Sequence, residues 1–184
     1  FRNPVGSLDT LRFGTNVSRM GKGNIDNVKV AVQPYLYADF EEDAYGATPS
    51  GWTIAGGGGT VTVATTPGGD KSMRLNDTST SAEVNAERSF AAQAGTVTVE
   101  FDAKVDATYG IVRAGYLYGG GVEAVFVYFD QSGTIAYYDG NAKVNSQTYA
   151  AGIWYHFKIV ADPVADAYDL YIDDMATPVV SQAG

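Results

Sequence analysis

Cysteine is absent from all 184 residues, which removes both a disulfide framework and any thiolate metal site. Histidine occurs once, as His156, so sites built on two histidines, the usual zinc enzymes among them, are excluded. Basic charge is scarce: 12 Lys and Arg stand against 21 Asp and Glu, a net charge of −9. Phosphate backbones are held by basic surfaces that release counterions, so nucleic acid is excluded as a partner. No apolar run reaches the ~18 residues of a membrane span, and the chain shows no charged-then-apolar leader or initiator methionine. The expectation is a piece cut from something longer, without a membrane span or signal peptide. No long stretch carries the 3.6-residue apolar period of a helix.

What is present is β-forming. Thirteen Tyr, eight Phe and 22 Gly, with abundant Val and Thr, are the usage of strands joined by tight turns. A chain of this length buries about 70% of its unfolded surface as one domain. A cysteine-free, acidic, Tyr-, Thr- and Gly-rich composition fits a secreted, extracellular bacterial protein.

Period-2 runs bounded by Gly, Pro, Asn and Asp recur about every 10 residues, the mark of a β-sandwich or jelly roll. Strands are expected near 8–13, 25–31, 35–40, 59–65, 71–76, 82–89, 96–105, 110–118, 122–129, 133–139, 153–161 and 167–173. In "TVTVEFDAKV" (96–105), Val97, Val99, Phe101, Ala103 and Val105 point one way, and Glu100, Asp102 and Lys104 the other. "VEAVFVYFD" (122–130) is apolar on both faces, as in a strand covered on both sides or lying beneath a ligand. It forms a hairpin with 133–140, and "IWYHFKIVAD" (153–162) forms a second one with 165–174, turned at Asp162-Pro163.

From "DFEEDAYGATPSGWT" (39–53) onward, through "GDKSMRLND" (69–77), "TVTVEFDAKV", "AGIWYHFKIVAD" (151–162) and "DAYDLYIDD" (166–174), the chain resembles a family. These are the concanavalin A-like jelly-roll modules, including carbohydrate-binding modules attached to secreted bacterial polysaccharide-degrading enzymes. The resemblance implies an all-β, two-sheet antiparallel sandwich. It also implies that "FRNPVGSLDTLRFGT" and "GNIDNVKV" should follow "YIDD", yet here they occupy residues 1–30. Reading Gly184 into Phe1 restores the usual order, so the expectation is one sandwich domain over 1–184, circularly permuted or cut out of phase from a tandem array. Residues 35–184 form its main body. Residues 1–30 supply the closing strands, either in cis, with 31–34 bridging to the opening strand, or by swapping into a neighbouring module or a dimer.

Asp26 on the closing strand and Glu41 on the opening strand bring two carboxylates together that repel unless something positive lies between them. Calcium suits such oxygen donors; the alternative is two exposed strand-end acids. The resemblance adds the carbonyl of Lys71 and a structural Ca2+, tying first strand to last.

Strand parity puts Glu100, Asp102 and Lys104 on one face and adds Arg113, Glu123, Tyr137, His156 and Lys158. Tyr116, Tyr118 and Tyr128 form either a stacking platform there or part of the core. Aromatic rings stack on sugar C–H faces, and polar side chains hold the hydroxyls. Basic groups gathered on a net-acidic protein favour an anionic polysaccharide; the alternative is an ordinary wet surface. Trp52 and Trp154, each beside a turn, read as core plugs, and His156 as a surface or hydrogen-bonded residue. Asn16-Val17-Ser18 and Asn76-Asp77-Thr78 match the glycosylation acceptor pattern, which arises often by chance.

An enzyme on this fold needs more. Laminarinase-type jelly-roll hydrolases carry Glu-x-Asp-x-x-Glu, and Val105 stands where the third acid should be. A polysaccharide lyase would use His156, Tyr137 and Arg113 as base, acid and uronate partner, but no tight motif accompanies them. The expected function is a non-catalytic carbohydrate-binding module; a lyase or hydrolase comes second and a structural or adhesive cell-surface repeat third.

Overall fold

A computed structural model describes every residue except Arg2, 17–19, 32–34, Pro67 and 109–111. Three expectations therefore fall partly outside the described residues: the bridge at 31–34, the acceptor pattern at Asn16, and the start of the strand at 110–118. The described chain is all β, with no helix, in two antiparallel sheets packed face to face. The chain opens with β1 (Leu8–Thr15) and β2 (Lys22–Ala31). β3 (Leu36–Ala38), β4 (Thr53–Ala55), β5 (Gly59–Thr65), β6 (Lys71–Asp77) and β7 (Asn85–Gln93) follow. Then come β8 (Val97–Val105), β9 (Val112–Gly119), β10 (Val122–Phe129), β11 (Thr134–Asp139) and β12 (Ala142–Thr148). The chain closes with β13 (Tyr155–Asp162), β14 (Ala167–Ile172) and β15 (Val180–Ala183).

Sheet I runs β12-β11-β10-β9-β1-β7-β4 and sheet II runs β15-β14-β13-β8-β2-β6-β5. On one flank of β2, β6 pairs with Lys22–Ile25 and β3 with Val28–Val30. β1 and β2 thus each lie inside a sheet, β1 between β7 and β9 and β2 between β8 and the β6/β3 flank. The β2–β3 hairpin provides the adjacency expected of closing and opening strands.

Alternation explains the core. Val97, Val99, Phe101, Ala103 and Val105 of β8 are all buried, as a period-2 strand with one face inward requires. Phe101 stacks on Phe157 of β13 at 5.1 Å and meets Phe13 of β1 edge-on at 5.1 Å. Phe129 of β10 meets Phe157 edge-on at 5.7 Å. Aromatics from both sheets therefore interlock, each contributing about 1.5–3 kcal/mol through burial. Trp52 plugs this core, as expected, against Phe13 and Phe40.

Three strands appear that alternation does not announce: β4, β12 and β15. All three end a sheet. An edge strand pairs on one side only and needs little apolar surface, and β12 ("AKVNSQT") is mostly exposed.

The chain ends meet. The Phe1 ammonium donates to the Ala183 carbonyl at 3.1 Å and to that of Asp166 at 3.0 Å, and the Phe1 side chain is buried.

Candidate functional site

The predicted binding residues divide among three places. Lys104, His156 and Lys158 point outward from sheet II, beside Glu100 and Asp102. Arg113, Tyr116, Glu123 and Tyr128 point outward from sheet I. Tyr137 points into the core, where it meets Tyr168 edge-on at 6.4 Å. The expectation of one shared face is thus corrected. Within β11, Ile135 and Tyr137 face the core while Ala136 and Tyr138 face out, so the aromatic on the surface is Tyr138. A one-residue change of parity moves a strand's whole side-chain set to the other face.

On sheet II, the His156 imidazole hydrogen-bonds Asp102 through Nδ1 at 2.6 Å, and its Nε2 lies 3.8 Å from Glu100. His156 is thus a hydrogen-bonded surface residue. The Lys158 ammonium donates to the Met175 carbonyl at 2.8 Å and sits 3.7 Å above the Tyr171 ring. Lys104 lies 4.9 Å over the Trp154 ring. Trp154 is half-buried on this outer surface instead of plugging the core, because β13 begins only at Tyr155 and its inward set is Phe157, Ile159 and Ala161.

Sheet I carries the more unusual face. Tyr116, Phe126, Tyr128 and Ala136 form a buried cluster separate from the main core, bordered by the half-buried Tyr118 and Tyr138. Tyr116 stacks on Phe126 at 4.0 Å and Phe126 on Tyr138 at 5.2 Å. These separations match the spacing of adjacent strands, so the column runs across β9, β10 and β11 and the rings face one another. The expected platform of open ring faces is replaced by a self-stacked one. Burial pushes the Tyr116 phenol far above its ordinary pKa, despite the Arg113 guanidinium beside it.

Ion pairs border the cluster. Arg12 lies 4.5 Å over Tyr118 and pairs with Glu87 of β7. Arg113 lies 5.1 Å from the Tyr116 ring and pairs with Glu83 at 2.7 Å. Lys143 of β12 pairs with Asp130. In both arginines Nε is buried without a partner, leaving one donor each uncommitted. Arg12, Glu83, Glu87, Phe126 and Tyr138 were outside the predicted set. The available signal was the two-sided apolar run of β10, which marked a strand whose outer face is also aromatic.

The acidic corner lies where β2 is bulged. Asp26 stands directly opposite Asp102 of β8, and the register shifts between Asp26 and Lys29, with Asn27 at φ 49°. Asn27 Nδ2 donates to Asp102 at 2.8 Å and its backbone N–H to Asp26 at 2.7 Å. Burial first, then the charges of Asp102, Glu41 and Asp39, push the Asp26 carboxyl up to about 7 against the lowering effect of the Asn27 N–H. The corner offers only oxygen donors and surplus negative charge, which fits a hard divalent cation. Lys71 takes part differently from expectation: its backbone N–H donates to the Glu41 carboxylate at 2.6 Å, and its ammonium spans the Glu41 and Asp43 carbonyls at 2.6 and 2.8 Å. Among the described residues, no group of three or more His, Cys, Asp or Glu is gathered closely enough to hold a metal alone; backbone and water oxygens would have to complete a shell.

The lyase arrangement is not assembled, since His156 and Arg113 lie on opposite outer surfaces with Tyr137 between them. The second acceptor pattern falls inside β6, where Asp77 is fully buried and accepts from the Thr15 hydroxyl at 2.6 Å. No protein-family model, curated protein or solved structure matches this chain.

Proposed function

We propose that the protein is a non-catalytic polysaccharide-binding module of an extracellular polysaccharide-degrading enzyme, with the outward face of sheet I as its binding surface. One observation carries the reading: five aromatic side chains, Tyr116, Tyr118, Phe126, Tyr128 and Tyr138, gather on the outward face of sheet I, apart from the main core. A contiguous aromatic patch outside the main core, rimmed by polar residues, is a feature of ligand-binding surfaces. The half-buried Tyr118 and Tyr138, with the Arg12–Glu87 and Arg113–Glu83 pairs, supply donors and acceptors for sugar hydroxyls. The basic groups expected to favour an anionic chain divide between the two outer faces, and Arg12, Arg113 and Lys143 on this face each pair with a carboxylate, so the reading extends to neutral as well as acidic polysaccharides.

A calcium ion between Asp26 and Glu41, joining β2 to the segment after β3, belongs to the same reading. Its support is the facing of Asp26 and Asp102, since like charges directly opposite one another destabilise a sheet. A jelly-roll connection of the concanavalin A type, and module neighbours in tandem, complete the proposal.

The self-stacked rings and closed ion pairs favour a second reading, a structural or adhesive repeat with no ligand on this face. Retention on a panel of immobilised neutral and acidic polysaccharides separates the two. Retention without new reducing or unsaturated ends is expected; product formation or no retention overturns the binding-module reading.

A further inference from the structure

Among the described residues, the exposed aromatic side chains all belong to one segment: Tyr35, Tyr37 and Tyr45 are 56%, 46% and 73% exposed. The segment borders a cleft of about 390 Å³ at the open edge of the sandwich, where β3 and the 39–51 turn face β7. Tyr37 lines the cleft together with Asp39, Glu42, Asp43 and Arg88. A smaller hollow of about 180 Å³, lined by Tyr35 and Phe90, adjoins it and shares Arg88.

Arg88 is placed unusually. It stands opposite Leu11 in the β1–β7 register, and Leu11 is fully buried; residues directly opposite share a face, so Arg88 points toward the interior. Its guanidinium lies 6.0 Å from the Trp52 ring and against Gly51, where a Cβ would come within 2.9 Å of Nη1. Gly51 has φ +74°, a conformation glycine adopts without strain. Arg12, Arg74 and Arg113 each hold a carboxylate. The Arg88 side chain makes no hydrogen bond or ion pair with any described residue, although three acids line its cleft. A half-buried guanidinium with its donors unspent calls for an external acceptor.

The acids say which acceptor. Asp43 accepts from the Ser50 N–H at 3.2 Å and Asp39 from the Glu41 N–H at 3.3 Å, and each carboxylate keeps lone pairs free. Three carboxylates against one guanidinium leave surplus negative charge, which repels a uronate or sulfate ester but not a polyol. Vicinal hydroxyls can accept from Arg88 and donate to Glu42 or Asp43 at once, and exposed tyrosine rings offer the open faces that sheet I lacks. The larger hollow lies within the ~300–1,000 Å³ range of small-ligand sites.

We propose that this edge cleft is a second saccharide site, taking a neutral pyranose that stacks on Tyr37 and hydrogen-bonds Arg88, with an adjacent sugar unit in the hollow beside Tyr35. The site is independent of the sheet I surface. Its test is titration of the whole chain with cellohexaose, xylohexaose, laminarihexaose and hexagalacturonate, followed by amide chemical shifts. At least one neutral hexasaccharide is expected to shift the amides of Ala38, Ser50 and Gly51. Arg88→Gln is expected to weaken that binding tenfold or more with an unchanged melting temperature, while Trp154→Ala on the outer face of sheet II leaves it intact. Should Arg88→Gln fold poorly, the exposed Tyr37→Ala carries the same expectation. The proposal is overturned if no neutral saccharide moves the cleft amides, if the variants bind as tightly as the parent, or if hexagalacturonate binds better through Arg88. Shifts confined to the cleft would overturn the sheet I reading and leave this one standing.

Discussion

The α-amino group of Phe1 donates to the backbone carbonyl of Ala183 at 3.1 Å, so the two ends of the chain stand side by side. Adjacent ends make circular permutation tolerable. A chain with Gly184 joined to Phe1 through a short linker, and opened within 32–34, is expected to fold with the same far-UV spectrum and a melting temperature within a few degrees. An unfolded or aggregated permutant would contradict the pairing of β1 and β2 inside both sheets. The parent chain is expected to sediment as a 19.5 kDa monomer; twice that mass would mean that residues 1–30 complete a partner's sheets.

Asp26 links pH to stability in a definite direction. Its folded pKa is raised to about 7 from 3.8, so the folded state holds a proton that the unfolded chain has already released. Stability is fully present below about pH 4 and lost as pH rises toward 7. Asp26 is only partly buried, and solvent screening reduces the effect to about 1–2 kcal/mol. With chelator at pH 8, Asp26→Asn is expected to melt higher than the parent by several degrees. Calcium is expected to raise the melting temperature of the parent and not of Asp26→Asn; equal responses would remove Asp26 from the proposed site.

On sheet I, Tyr118 and Tyr138 stand at the half-buried border of the aromatic cluster. Truncating either to Ala is expected to weaken polysaccharide retention about tenfold, or about 1.4 kcal/mol, in affinity electrophoresis. Unchanged mobility in both variants, alongside a parent that is retained, would move the binding surface elsewhere.

The two tryptophans should behave oppositely. Trp52 is 7% exposed and wedged among Phe13 and Phe40, so Trp52→Ala is expected to cost about 3–5 kcal/mol in urea unfolding. Trp154 lies on the outer surface under Lys104, and Trp154→Ala is expected to cost less than about 1 kcal/mol. Similar losses would place Trp154 in the core after all.

How far the site was legible follows from individual strands. β8 was readable because its alternation is strict from Val97 to Val105. β11 was not, because "TIAYYD" offers two adjacent tyrosines and only packing decides that Tyr137 turns in and Tyr138 out. Irregularities in the ladders compound this: register shifts between Arg12 and Gly14 in β1–β9, and between Glu123 and Val125 and between Val127 and Tyr128 in β9–β10. Each slip reverses the parity that counting along the chain assumes. Arg88 was invisible for the same reason, since nothing local in "NAERSF" says which charged residue faces inward.

Composition and period alone determined that this protein is an all-β sandwich without thiolate or bis-histidine chemistry, because those conclusions depend only on which residues are present and on a two-residue repeat. Tertiary structure decided which side of which sheet each side chain meets. Lys104 and Arg113, nine residues apart, project from opposite outer surfaces because β8 and β9 belong to different sheets, and the repeat of a strand records alternation but carries no label for the sheet it joins.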